Sequence, residues 1–134
     1  MSEDGFDIIV LGGGSGGYAA ALRARELGRT VALVERDQVG GTCLHRGCVP
    51  TKALLHSGEV ADVVRNAAHH GVSASFEAID MAAVHDYRRK IVSKKHAGLT
   101  GLLAARGVAT ITGDGYLEAD RREIPRLYAR HSGR

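Results

Sequence analysis

The sequence predicts an α/β fold built on a parallel sheet, and three observations carry the prediction. A short continuous apolar run at residues 6–11 (FDIIVL) ends in a cluster of glycines, and an Ala-, Leu- and Arg-rich segment follows. A second apolar run at residues 30–34 (TVALV) then closes on Glu35. Strand, glycine turn, helix and strand within about 30 residues make a βαβ unit, because parallel strands need a crossover that antiparallel ones do not.

Taken in order, the short apolar run at residues 6–11 predicts a strand buried on both faces. Residues 18–27 suit a helix stopped by Gly28, whose lack of a Cβ fits a left-handed cap. Residues 30–34 give the second strand. From Thr51 a helix is expected to about His70, with Leu54, Ala61, Val64 and Ala68 near one face. Asp80 is placed to cap a second long helix. In that helix Val84, Tyr87, Ile91, Leu99 and Leu102 would face inward, and Gly107 would end it. Residues 108–112 (VATIT) read as a third strand, closed by Gly113, Asp114 and Gly115.

Beyond Leu117 the pattern breaks down. Residues 118–134 hold five arginines and one proline without sustained alternation, so a poorly ordered tail is expected there. The expected organisation is therefore one domain over residues 1–117 and a tail over 118–134. A chain of 134 residues with 44% hydrophobic and 25% charged residues suits one globular domain. Its net charge of +3 is small, and an aromatic content of 4% leaves few stacking platforms for nucleic acid. The acidic first residues lack the basic region of a secretory signal, and no apolar stretch is long enough to span a membrane. A cytoplasmic chain is expected.

The glycine turn reads GGGSGG over residues 12–17, with Gly12, Gly14 and Gly17 at the G-x-G-x-x-G spacing. Gly12 would turn the chain sharply, Gly14 would let backbone approach a pyrophosphate, and Gly17 would let helix pack closely on strand. The helix N-terminus, with unpaired N–H groups and a favourable dipole, would then face the phosphates. Glu35, 18 residues after Gly17, is spaced to accept hydrogen bonds from an adenosine ribose. An acid there argues against a 2′-phosphate, a reading that the adjacent Arg36 tempers.

Cys43 and Cys48, the only cysteines, sit in GGTCLHRGCVPTKALL. Residues five apart in a regular helix lie about 140° apart around its axis, and their Cα separation of roughly 8 Å exceeds the reach of a disulfide. If they bridge, Cys43 must lie at a distorted turn, which Gly40, Gly41 and Gly47 permit and Pro50 helps define. A helix N-terminus together with Arg46 and Lys52 predicts a lowered thiol pKa. A redox pair, two inert thiols and half of a zinc site are all compatible with the spacing. Zinc is disfavoured, because no H-x(3–5)-H partner accompanies the cysteines.

The glycine turn, the ribose-type acid and the cysteine stretch together resemble the flavin-dependent pyridine nucleotide-disulfide oxidoreductases. Within them the sequence is similar to the dihydrolipoamide dehydrogenase type, through Leu44 and the Lys52-Ala53-Leu54-Leu55 run. The resemblance covers about Phe6 to Gly115. It implies a Rossmann-like, three-layer FAD-binding domain with a parallel sheet, incomplete at the C-terminus through truncation or frameshift. It implies that Cys43 exchanges with lipoamide while Cys48 lies beside the flavin, with Lys52 near flavin N5. It assigns the pyrophosphate to Gly12, Gly14, Ser15 and Gly17, and the ribose region to Glu35 and the neighbouring Arg36. Gly41 and Thr42 would meet the diphosphate or ribityl chain, and Gly115 the adenine. Electrons would pass from dihydrolipoamide through the disulfide and FAD to NAD, in a homodimer serving the lipoyl domain of a 2-oxo acid dehydrogenase complex. No second G-x-G-x-x-G is present, so no NAD site is assigned, and no histidine matches the family's catalytic base. With strands on one side only, the first strand would become an apolar edge that invites self-association.

Overall fold

The computed structural model describes residues 5–118 and 126–130, with side chains as far as residue 116. The chain divides into two compact units, one comprising residues 1–41 and 96–134 and the other residues 42–95.

The first unit holds the predicted βαβ element. Strand β1 (Ile8–Leu11) leads through the glycine turn into helix α1 (Ser15–Glu26), and strand β2 (Val31–Glu35) follows. Strand β3 (Ala109–Thr112) completes a three-stranded parallel sheet in the order β1-β2-β3, with Ile9 opposite Ala32 and Val34 opposite Ile111. Gly28 at φ +78° ends the turn after α1, in the left-handed conformation expected of it.

Burial corrects one expectation. The strand buried throughout is β2, where Val31, Ala32, Leu33 and Val34 are all inaccessible. In β1, Ile8, Ile9 and Leu11 remain exposed, and only Val10 packs against the core. An apolar run reports that a strand is suited to burial; its place in the sheet decides whether burial happens. Here β1 is the edge, as expected when neighbours lie on one side only.

The core gathers Ala21 and Ala24 from α1, Val31 and Leu33 from β2, then Val39, Leu103 and Val108. Two alanines on the inner face of α1 keep that helix close to the sheet. Closer still is Gly17, where an added Cβ would collide with the Gly12 carbonyl oxygen. The corners are tied by polar contacts. The Asp7 carboxylate accepts from the Thr30 N–H at 2.7 Å and from its hydroxyl at 2.9 Å. The Arg25 guanidinium donates to the carbonyls of Arg106 and Arg29 at 2.9 and 2.8 Å, satisfying groups that helix ends and turns leave open.

The second unit contains helix α3 (Cys48–Arg65), a 3₁₀ turn (Ala67–His70) ended by Gly71 at φ +72°, and the first part of helix α4 (Met81–Ala105). The helix expected to run to His70 therefore stops at Arg65. The 3₁₀ turn that follows buries Ala67 in place of Ala68. Asp80 caps α4 as predicted, its Oδ1 accepting from the N–H groups of Ala82 and Ala83 at 2.9 and 3.1 Å. At the other end of α4, in the first unit, the buried residue is Leu103 at 1% exposure; Leu102, expected inward, is 42% exposed.

Beyond β3, strand β4 (Asp114–Glu118) pairs antiparallel with strand β5 (Arg126–Arg130), Tyr116 opposite Tyr128. The segment read as a tail thus contains a paired strand. Residues 119–125 and 131–134 of the expected tail lie outside the described residues.

Candidate functional site

The glycine turn is held from several directions. Gly12, at φ +92°, donates its N–H to the Val34 carbonyl at 2.8 Å, so the turn begins locked to the end of β2. The Gly13 N–H donates to Glu35 Oε2 at 2.6 Å. The other carboxylate oxygen of Glu35 accepts from the Asp37 N–H at 2.9 Å. Gly13 is buried, and its carbonyl accepts the Gly40 N–H at 2.7 Å. Position 13 is the free position of the G-x-G-x-x-G pattern, which is why sequence spacing did not single it out.

Gly14 caps α1 without any side-chain hydrogen bond, and the first turn carries no acidic residue. The opening N–H groups of a helix have no intrahelical acceptor and carry partial positive charge. A Cβ built at Gly12 or Gly14 would meet nothing within 4 Å, so the backbone is open on that side. The opposite flank of Gly14 is crowded: a Cβ on Gly41, itself at φ +58°, would stand 2.9 Å from the Gly14 Cα. Ser15 opens α1 and is exposed, as is Arg36 after β2. Gly115, in β4, fits because any Cβ would collide with Leu11 and press on Val34.

The cysteines occupy two successive helices. Cys43 lies in the short helix α2 (Gly41–His45) and Cys48 is the first residue of α3. Between them Arg46 and Gly47 break the helical path, with Gly47 at φ −123° and ψ −108°. A Cβ at Gly47 would come 3.1 Å from the Thr42 carbonyl oxygen, so glycine permits the tight return. The distorted turn expected before Cys48 is thus present, with Pro50 buried in the first turn of α3, where its missing N–H costs nothing.

Both cysteines are free thiols, Cys43 half-buried and Cys48 exposed. Hydrogen bonding toward the Cys48 thiol, followed by partial desolvation and the proximity of that second thiol, pushes the Cys43 thiol above its ordinary value; the Cys48 N–H and Lys52 pull weakly the other way. The expected lowering does not hold for Cys43, because the neighbouring thiol outweighs the more distant cation. Lys52 is exposed on α3, four residues beyond Cys48 and so on the same side of that helix. Thr42 is exposed in α2. Among the described residues no three His, Cys, Asp or Glu side chains converge as a metal site, and no helix is long and apolar enough to cross a membrane.

A turn offering open backbone N–H groups to an anion, an acid at the end of β2, and two vicinal thiols on a glycine-broken helix start are the chemical assets of this chain. Known proteins are similar to this chain in sequence and shape. A dihydrolipoyl dehydrogenase of Bacillus subtilis is 42% identical over 110 residues, covering 82% of this chain and 23% of the relative. One from Zymomonas mobilis is also 42% identical, over 90% of this chain and 26% of the relative. The crystal structure of LpdA from Mycobacterium tuberculosis superposes with a TM-score of 0.81 at 29% identity, over 92% of this chain and 28% of that one. The chain therefore spans about a quarter of the length of these relatives. With residues 6–125 matching the family described as Pyridine nucleotide-disulphide oxidoreductase, the chain belongs to that family.

Proposed function

We propose that this chain is the FAD-binding, disulfide-bearing part of a dithiol–disulfide oxidoreductase of the dihydrolipoamide dehydrogenase type. The observation that carries the reading is the thiol pair: Cys43 and Cys48 lie on either side of a helix break, near enough for the second thiol to act on the first, and no other cysteine competes with them. Proximity of thiols five residues apart is what reversible disulfide formation requires.

The residues of the first unit fit the dinucleotide. Gly12, Gly14, Ser15 and Gly17 would hold the pyrophosphate on the backbone at the start of α1, which is open beside Gly12 and Gly14. The Glu35 carboxylate, already accepting two backbone N–H groups, has lone pairs left for ribose hydroxyls, with Arg36 beside it. Gly41, Thr42 and Gly115 are assigned to the remaining contacts, and Lys52 to the isoalloxazine end. When bound, FAD supplies a two-electron acceptor for the reduced pair.

The chain's own chemistry is thiol–disulfide exchange. Starting from the oxidised pair, a thiolate of dihydrolipoamide attacks the Cys43 sulfur; a mixed disulfide forms, and Cys48 leaves as the thiolate at the positive end of α3. The second substrate thiol then attacks the substrate sulfur of the mixed disulfide. Lipoamide leaves oxidised, and Cys43 and Cys48 are left as a dithiol.

A lipoyl domain of a 2-oxo acid dehydrogenase complex is the proposed donor, a homodimer the proposed assembly, and the cytoplasm, where such pairs cycle, the proposed location. Onward transfer to NAD needs residues outside these 134. The coverage of about a quarter of each relative favours a second reading, in which the chain binds FAD and exchanges disulfides but does not complete turnover. Incubating the oxidised chain with dihydrolipoamide tests the proposal. It predicts one lipoamide and two protein thiols per chain, lost in Cys43→Ser and Cys48→Ser; formation of lipoamide by both serine variants would sink it.

A further inference from the structure

The Gly13 residue is gripped from both sides. Its N–H is held by Glu35 Oε2 at 2.6 Å, and its carbonyl by the Gly40 N–H at 2.7 Å. Peptide groups are planar and trans, and none here is cis, so each grip also fixes the opposite end of the same plane. Holding the Gly13 N–H points the Gly12 carbonyl the other way, onto Gly17, where only glycine fits. Holding the Gly13 carbonyl turns the Gly14 N–H away from Gly40. Gly40, at φ +109°, and Gly41, at φ +58°, form a corner that presses on the back of Gly14, with 2.9 Å between a Gly41 Cβ and the Gly14 Cα.

We propose that Glu35, Gly40 and Gly41 are positioning residues that set the peptide planes of the anion-binding turn before any ligand arrives. Glu35 then has a role separate from ribose recognition: it orders backbone that contacts phosphate. Preorganised N–H groups bind an anion without the entropy cost of ordering a glycine-rich loop, in which each residue has unusual freedom to lose. Gly41 is required because its side of the turn is closed. Any side chain would both strain the left-handed backbone and displace Gly14.

The inference rests on the dinucleotide reading, and a probe lacking ribose hydroxyls separates the two. Calorimetry on the 134-residue chain with ADP and with 2′,3′-dideoxy-ADP would be compared for wild type, Glu35→Gln, Glu35→Asp and Gly41→Ala. A hydrogen bond to a charged group predicts that Glu35→Gln weakens dideoxy-ADP by about tenfold although no ribose hydroxyl is present. Glu35→Asp, which keeps the charge and shortens the reach, should do the same, and Gly41→Ala should weaken both nucleotides equally. In the ligand-free chain the Gly13 amide should exchange slowly and accelerate in Glu35→Gln, while the Leu33 amide of the central strand stays protected and reports intact folding. Unchanged dideoxy-ADP affinity in both Glu35 variants, with a fast-exchanging Gly13 amide in wild type, would overturn the inference alone. Binding of neither nucleotide by wild type would overturn the dinucleotide reading and the inference with it.

Discussion

Asp7 and Gly17 show how single residues hold the sheet to its helix. The Asp7 carboxyl sits below its ordinary value of 3.8 because the Thr30 backbone N–H, then the Thr30 hydroxyl, bind its charged form, with Arg29 adding to this. A depressed folded-state value means the stabilisation is complete above 3.8 and is lost as pH falls through the lower, folded-state value. Asp7→Asn should therefore lower the thermal midpoint at neutral pH, with the gap to wild type closing under acid; a gap that persisted unchanged into strong acid would contradict this. At Gly17 the obstacle is backbone, which cannot swing aside, so Gly17→Ala should destabilise by about 2 kcal/mol or more in urea unfolding. At Cys43, removing the neighbouring thiol in Cys48→Ala should speed iodoacetamide alkylation several-fold at neutral pH, because the principal cause of its raised value is gone. Much at this scale was legible in the sequence. Gly12, Gly14, Gly17, Glu35, Cys43 and Cys48 stand out by spacing alone. Gly13 does not, since its work is done by backbone groups that every residue carries.

Among the elements, the sequence shows periodicity well and rotational phase poorly. Strands β1, β2 and β3 and helices α1, α3 and α4 all fall where apolar patterning, glycines and the Asp80 cap place them, within a few residues. The phase of α4 near its C-terminus is a different matter. Leu99, Leu102 and Leu103 are all apolar, and only contact with α1 and the sheet selects Leu103 for the core. Leu103→Ala should cost about 2–5 kcal/mol of stability in urea unfolding, whereas Leu102→Ala should stay within about 0.5–1 kcal/mol; the reverse ranking would show that the helix is rotated. The break between α2 and α3 matches what disulfide geometry demands if the thiols are to bridge, because a continuous helix would keep them apart. Strand β5 was not anticipated, since residues 118–134 show no sustained alternation of apolar and polar residues.

At the scale of the whole molecule, the sheet of the described residues leaves β1 as an apolar edge, with Phe6, Ile8, Ile9 and Leu11 exposed and neither lysine nor proline in the strand to blunt it. Such an edge pairs readily with another strand. The purified 134-residue chain should therefore show a mass above 14.2 kDa in light scattering as concentration rises, and a constant monomer mass would count against an open edge. The proposed function requires one chain to carry both a dinucleotide cradle and a thiol pair that exchanges. Its most direct test is the absorption spectrum of the purified chain after loading with FAD and removal of the excess. The loaded chain should retain a flavin spectrum that, on addition of dihydrolipoamide, develops a long-wavelength band absent from Cys48→Ser. A chain that retains no flavin, or a band that persists in Cys48→Ser, would contradict it.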